Sequence, residues 1–102
     1  MNPEQRYVIA ADHPSLAGHF PGNPIVPGVV ILEEVVRAFE AWRPDKQPVG
    51  MPVVKFLAPL RPEQSFTIRF LESGSNRVRF ECVRVDGQPF VQGDLILAGA
   101  GG

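Results

Sequence analysis

Apolar side chains recur at helical spacing in one long stretch of the chain. In VVILEEVVRAFEAW, residues 29–42, Val29, Ile31, Leu32, Val35, Val36, Ala38, Phe39 and Trp42 fall on one half of a helical wheel. Glu33, Glu34, Arg37 and Glu40 fall on the other. Pro27-Gly28 precedes the run and Pro44 forbids its continuation, so the pattern predicts one helix over 29–42. Valine and isoleucine are moderate helix formers, which makes this segment dependent on tertiary packing. After residue 50 the period changes to two. Phe66, Ile68 and Phe70 alternate with Thr67 and Arg69, and Val78, Phe80 and Cys82 alternate with Arg77, Arg79 and Glu81. Strands are predicted over 53–58, 65–71, 77–85 and 89–98, with YVIA (7–10) adding a fifth near the N-terminus. The connectors 72–76 and Asp86-Gly87 predict hairpins, and the terminal GAGG has nothing to bury and is expected to fray.

One helix and about five antiparallel strands in chain order imply an α+β domain in which a curled sheet wraps a single central helix. At 102 residues the chain holds one domain, 1–102, because two cores would each be too small. A domain of this size buries only ~60 to 65% of its chain surface, so pairing through a sheet edge into a continuous double-length sheet would hide both edge strands and more apolar area; a dimer is expected.

Ten basic and eleven acidic residues leave a net charge of -1, which supports neither nucleic-acid binding nor adhesion to an anionic membrane. No apolar run approaches the ~18 residues of a membrane span, and the N-terminus lacks an apolar signal core. The lone cysteine, Cys82, has no disulfide partner, and no Cys/His set suggests a metal, so a cytoplasmic protein without metal is expected. Cys82 itself reads as a small apolar group packed in the sheet.

Ten glycines and eleven prolines are more than a chain of this length ordinarily carries, and many crowd into HPSLAGHFPGNPIVPGVVILEE, residues 13–34. Each proline fixes its own φ and restrains the residue before it, so His19 and Phe20 sit in a segment that is stiff by composition. The segment ends at Pro27-Gly28, where free backbone amides and the positive end of the helix dipole favour an anion or a developing oxyanion.

HFPGNPIVPGVVILEE resembles the signature of the FabA/FabZ-type β-hydroxyacyl-(acyl carrier protein) dehydratases. It has the HFPG element, the PxxPG turn, the aliphatic run and a glutamate, Glu33, fourteen residues after His19. VVKFLAPLRPEQ and DGQPFVQGDLILA are similar to later segments of the same family, and in size the chain is most similar to the short members associated with aryl polyene pathways. The resemblance implies a hotdog fold working as a dimer, with the histidine of one protomer and the acid of the other facing a tunnel at the interface. It implies His19 as catalytic base and Glu33 as catalytic acid. The Gly28 amide, helped by that of Val29, would polarise the thioester carbonyl, and Phe20 would contact the substrate. The reaction implied is reversible dehydration of a 3-hydroxyacyl thioester to the trans-2-enoyl product, with no organic cofactor or metal. The partners implied are an acyl carrier protein bearing a phosphopantetheine-linked chain and a second hotdog subunit, either a copy of this chain or a sister.

These residue types suit that chemistry. A histidine supplies a base near neutral pH, a helix N-terminus stabilises enolate-like charge, and a glutamate in an apolar tunnel holds its proton because desolvation disfavours the carboxylate. Val29, Leu32 and Val36 flank Glu33 on the wheel, whereas Glu34 points ~100° further from the apolar arc, so Glu34 is expected to be the solvated neighbour.

Plainer readings stand beside these. Glu33 can pair with Arg37 one turn on, and since the family often has glutamine at that position, a permanent charge there would favour the carboxylate. His19 can be a structural loop histidine, and His13 reads as a turn residue. Phe20, Phe56, Phe66, Phe70 and Phe80 read mainly as core, with one or two left to line a tunnel. Lys55, Arg61 and Arg69 fit scattered surface charges or a docking face for an acidic carrier protein. Two other functions fit the same fold: an acyl thioesterase, and a non-catalytic acyl-binding or partner subunit.

Overall fold

A computed structural model of the chain describes residues 4–9 and 25–98. The elements run β1 (Glu4–Val8), α1 (Gly28–Trp42), β2 (Pro48–Phe56), β3 (Ser65–Gly74), β4 (Arg77–Arg84) and β5 (Pro89–Leu97). All strand pairs are antiparallel, in one five-stranded sheet of order β1-β3-β4-β5-β2. The α+β class and the single helix are as the sequence predicts. The order differs from the chain order, because the strand after α1 takes the edge opposite β1.

Alternation on β3, β4 and β5 builds the inner face. Phe66, Ile68, Phe70, Val78, Phe80, Cys82, Val91, Leu95 and Leu97 are buried there together with Val30, Ile31, Val35 and Phe39 of α1. The register sets Phe70 opposite Phe80 and Phe80 opposite Gly93, where only a glycine leaves room for the ring. At the C-terminal end of the helix, Trp42 stacks on Phe70 at 5.5 Å and Phe39 meets the same ring edge-on at 5.6 Å. Such ring pairs contribute about 0.5–1.5 kcal/mol each beyond the area they bury. The Asp86-Gly87 turn forms as predicted: Gly87 takes φ 88°, and the Asp86 carboxylate accepts from the Gln88 amide.

Several boundaries move. The helix starts one residue early, at Gly28. Strand β1 starts at Glu4, because its backbone pairs with β3 from Glu4↔Arg69 onward whatever its side chains. Strand β3 runs on to Gly74, shortening the predicted connector to Ser75-Asn76. Strand β2 begins at Pro48 instead of 53 and ends at Phe56: Pro48, Gly50 and Pro52 mask it in the sequence, yet an edge strand with register shifts tolerates prolines. Among the predicted core phenylalanines, Phe66, Phe70 and Phe80 are buried, but Phe56 is half exposed because β2 lies at the margin of the helix's cover. The predicted frayed tail, 99–102, lies outside the described residues.

The apolar half of the helix also divides. Val30, Ile31, Val35 and Phe39 face the sheet, with Leu32, Ala38 and Trp42 packed partly against them. Val29, by contrast, is 61% exposed. The buried stripe is therefore rotated toward Val30, leaving Val29, Leu32 and Val36 as an apolar flank on the outer side.

Candidate active site

The approach to α1 is tied down by the Val26 amide, which donates to the Leu60 carbonyl at 2.8 Å. Pro27 then serves as N-cap in an extended conformation (φ -59°, ψ 142°), and no side chain caps the helix. The Val30 amide turns back to the Pro27 carbonyl at 3.0 Å. The amides of Gly28 and Val29, first in the helix, have no carbonyl within it to bond, and they sit at the positive end of the dipole.

On one side of this helix start lies an apolar groove of about 390 Å³, lined by Ile25, Gly28, Ile31, Phe56, Leu57 and Leu60 among others. The Phe56 ring closes over Gly28 so tightly that a Cβ there would lie 2.6 Å from its Cζ. Glycine at the helix start thus lets the aromatic ring lie against the first turn of the helix. On the outer side lies an open depression lined by Val29, Leu32, Glu33, Val36, Arg37 and Glu40. Of the predicted site residues, Gly28 and Val29 form the first turn and Glu33 follows one turn later, flanked by Val29, Leu32 and Val36 as expected. His19 and Phe20, with His13, lie outside the described residues.

Two expectations about the acids are corrected. Glu33 is the exposed one and Glu34 the half-buried one, its side chain 19% accessible, because the rotated buried stripe carries Glu34 in beside Val30. Arg37 does not pair with Glu33. Its Nη1 donates to Glu34 Oε1 at 2.7 Å, and among the described residues Glu33 makes no ion pair or hydrogen bond. Glu34 also faces β1: burial, and next the Glu34 charge, push the Tyr7 phenol up from its ordinary value. The sequence did not mark Tyr7 as part of this neighbourhood, and it marked Phe56 only as one of five phenylalanines read mainly as core, with one or two left to line a tunnel. For Phe56 the signal was Gly28 itself, since a glycine at a helix start leaves room for a ring to lie against it.

Elsewhere the described residues offer little to a reaction. Cys82 is buried as expected, and burial, with a smaller effect of Glu81, pushes its thiol up to about 12. Among the described residues no three of His, Cys, Asp and Glu gather as metal ligands would, and no helix is long and apolar enough to cross a membrane. Lys55 and Arg69 are exposed in one register row, Lys55–Gln92–Glu81–Arg69–Glu4, so an acidic residue lies between them in that row; Arg61 is exposed in the connection after β2.

Comparison with known proteins agrees with this architecture. Residues 2–94 match the model of the ApeI-like family, described as ApeI dehydratase. A curated relative, the 3-hydroxyacyl-[acyl-carrier-protein] dehydratase FabZ of Wolbachia pipientis subsp. Culex pipiens (strain wPip), is 34% identical over 91 residues, covering 79% of this chain and 64% of that protein. The chain thus spans slightly less than two thirds of that relative's length. Among solved structures, the dehydratase heterocomplex ApeI:P from Xenorhabdus doucetiae superposes with a TM-score of 0.82 at 21% identity, covering 96% of this chain and 88% of that one. The (R)-hydratase from A. caviae involved in PHA biosynthesis gives 0.76 at 12% identity, covering 95% and 92%. The fold is the hotdog fold that the sequence motif implied, and the chain belongs to the ApeI-like dehydratase family.

Proposed function

We propose that this protein dehydrates 3-hydroxyacyl groups carried on an acyl carrier protein, giving the trans-2-enoyl thioester and water. Family membership supports the reaction class. The observation that carries the reading is the arrangement on α1: two amides at the positive end of the helix with no partner among the described residues, and one turn later a carboxyl set in an apolar flank and, among those residues, left without a cation. In this reading the thioester carbonyl accepts from the Gly28 and Val29 amides, which draw off charge as His19 removes the proton from the adjacent carbon. The carbon–oxygen bond one carbon further breaks, the double bond forms, and Glu33 protonates the departing hydroxide to water. The imidazolium then returns its proton through solvent to restore both groups. Phe20 and the groove beside Phe56 hold the acyl chain.

Glu33 has to lose its water to keep its proton, and the single chain leaves it exposed. A second subunit supplies the cover. Strand β2 has a free edge and exposes Val49, Val53 and Phe56, and the Val29–Leu32–Val36 flank is an apolar surface of the same kind. The partner is a hotdog chain, either a second copy or a sister subunit, and the active form is a complex in the cytoplasm.

The test is direct. Purified protein is incubated with a 3-hydroxyacyl carrier protein and the product is weighed by mass spectrometry. Loss of one water is expected from the wild type, with at least a hundredfold slower reaction in His19→Ala and in Glu33→Gln. Full activity in either variant refutes the assignment of that residue. Release of the free carrier thiol would make the protein a thioesterase, and carrier binding without turnover would make it a partner subunit.

A further inference from the structure

Two adjacent carboxylates, Glu33 and Glu34, compete for one guanidinium. Arg37 lies three residues from Glu34 and four from Glu33, and both spacings bring side chains together on a helix. The structure gives the cation to Glu34 at 2.7 Å, although Glu33 and Arg37 line the same depression. The reason is local. Glu34 is half-buried beside β1, where an unneutralised carboxylate is costly, and Arg37, 69% exposed, is long enough to lie back over it. Among the described residues, the charged and titratable groups around Glu33 are Arg37 and Glu40, both of α1; those around Glu34 are Arg37 and, from β1, Tyr7.

We infer that Glu34 is a positioning residue that holds Arg37 away from Glu33, so that Glu33 is the carboxyl left to face an apolar cover alone. The inference rests on Glu33 as the proton donor proposed above. It accounts for how an arginine is accommodated one turn from Glu33: its charge is engaged by the neighbouring carboxylate. Were Arg37 to swing one position over, an opposite charge beside the donor would stabilise its ionised form and disable it at lower pH.

The experiment compares pH–rate profiles for dehydration of a 3-hydroxyacyl thioester by the assembled wild type, Glu34→Gln, Arg37→Gln and the double variant, with circular dichroism to confirm folding. A proton donor fails as pH rises, so the alkaline limb reports it. In Glu34→Gln that limb is expected to move down by about one pH unit, as Arg37 turns to Glu33. In Arg37→Gln it stays where the wild type has it, and in the double variant it returns there, a rescue that a merely structural role for Glu34 would not produce. An unmoved limb in Glu34→Gln, or a lowered limb that Arg37→Gln does not restore, overturns the inference. Glu33→Gln separates the two levels: if it keeps full activity the donor assignment itself fails, whereas if it is inactive and Glu34→Gln has a normal profile, only the positioning role fails.

Discussion

The same methyl group added at two glycines should have opposite consequences. At Gly93, on β5, a Cβ would lie 2.4 Å from the Val53 carbonyl oxygen and 2.6 Å from Phe80 Cζ, against an ordinary contact of 3.4 Å or more. Neither neighbour can yield. The carbonyl is part of β2, paired in register with β5, and the Phe80 ring is wholly buried in the core. Opening roughly an ångström on two sides of a packed sheet is overpacking of the costly kind, about 3 kcal/mol for Gly93→Ala. With ~4–8 °C lost per kcal/mol in a domain of this size, the melting temperature should fall by roughly 12 °C or more. At Gly28 the new methyl meets only the tip of the Phe56 ring, at 2.6 Å, and that ring is 52% exposed and free to swing outward. Relief of glycine's conformational entropy in the helix, about 0.5–1 kcal/mol, offsets the displacement, so Gly28→Ala should stay within ~1 kcal/mol of wild type. Its effect should appear in turnover instead, as a drop of about tenfold in kcat/KM, because the methyl and the displaced ring crowd the free amides. Urea melts of the two variants, followed by circular dichroism, check the stabilities, and an assay of enoyl formation checks turnover. A Gly93→Ala protein as stable as wild type would refute the packing argument. A Gly28→Ala protein as unstable as Gly93→Ala would show that Phe56 is not free to move.

Other outcomes follow from the same structure. Cys82, with its thiol pushed up to about 12 from an ordinary 9.0, should resist alkylation at pH 8 in the folded protein and react once urea unfolds it. Because the folded state holds that proton more tightly, its contribution to stability is complete below pH 9 and is lost as pH rises toward 12; a Cys82→Ser protein lacking that loss would confirm the source. Val49→Lys combined with Val53→Lys places two charges on the open edge strand, so sedimentation should show the assembly reduced to the 11.2 kDa chain with its circular dichroism intact. An assembly that survives both lysines would place the contact elsewhere.

How far the fold was legible depended on how fully each segment is covered. The central strands β3 and β4 carry a clean two-residue alternation because one face packs on α1 and the other meets water, and their starts were read to the residue. The edge strands carry no such signal. In β2, the sequence PVGMP reads as a loop, and only the edge position and its register shifts make it strand. The acids show a similar limit. The helical wheel rightly put Val29, Leu32 and Val36 around Glu33, since that grouping depends only on spacing. It mistook which acid is solvated, because that depends on how α1 is rolled on the sheet, and the roll is set by Val30, Val35 and Phe39 meeting residues far away in sequence.

That roll links the fold to the chemistry. A helix with one broad apolar arc could bury all of it against its own sheet. This one buries the Val30 side and leaves Val29 exposed and Leu32 and Val36 only partly covered, with the exposed Glu33 among them. An uncovered apolar flank of this kind is a liability for a lone molecule and an asset for a subunit, because whatever covers the aliphatic side chains must also strip water from the carboxyl. If Glu33 is the proton donor proposed above and a second subunit is its cover, dehydratase activity per chain should fall with dilution along the same curve as the assembly itself, whereas a site complete in the single chain would give activity independent of concentration.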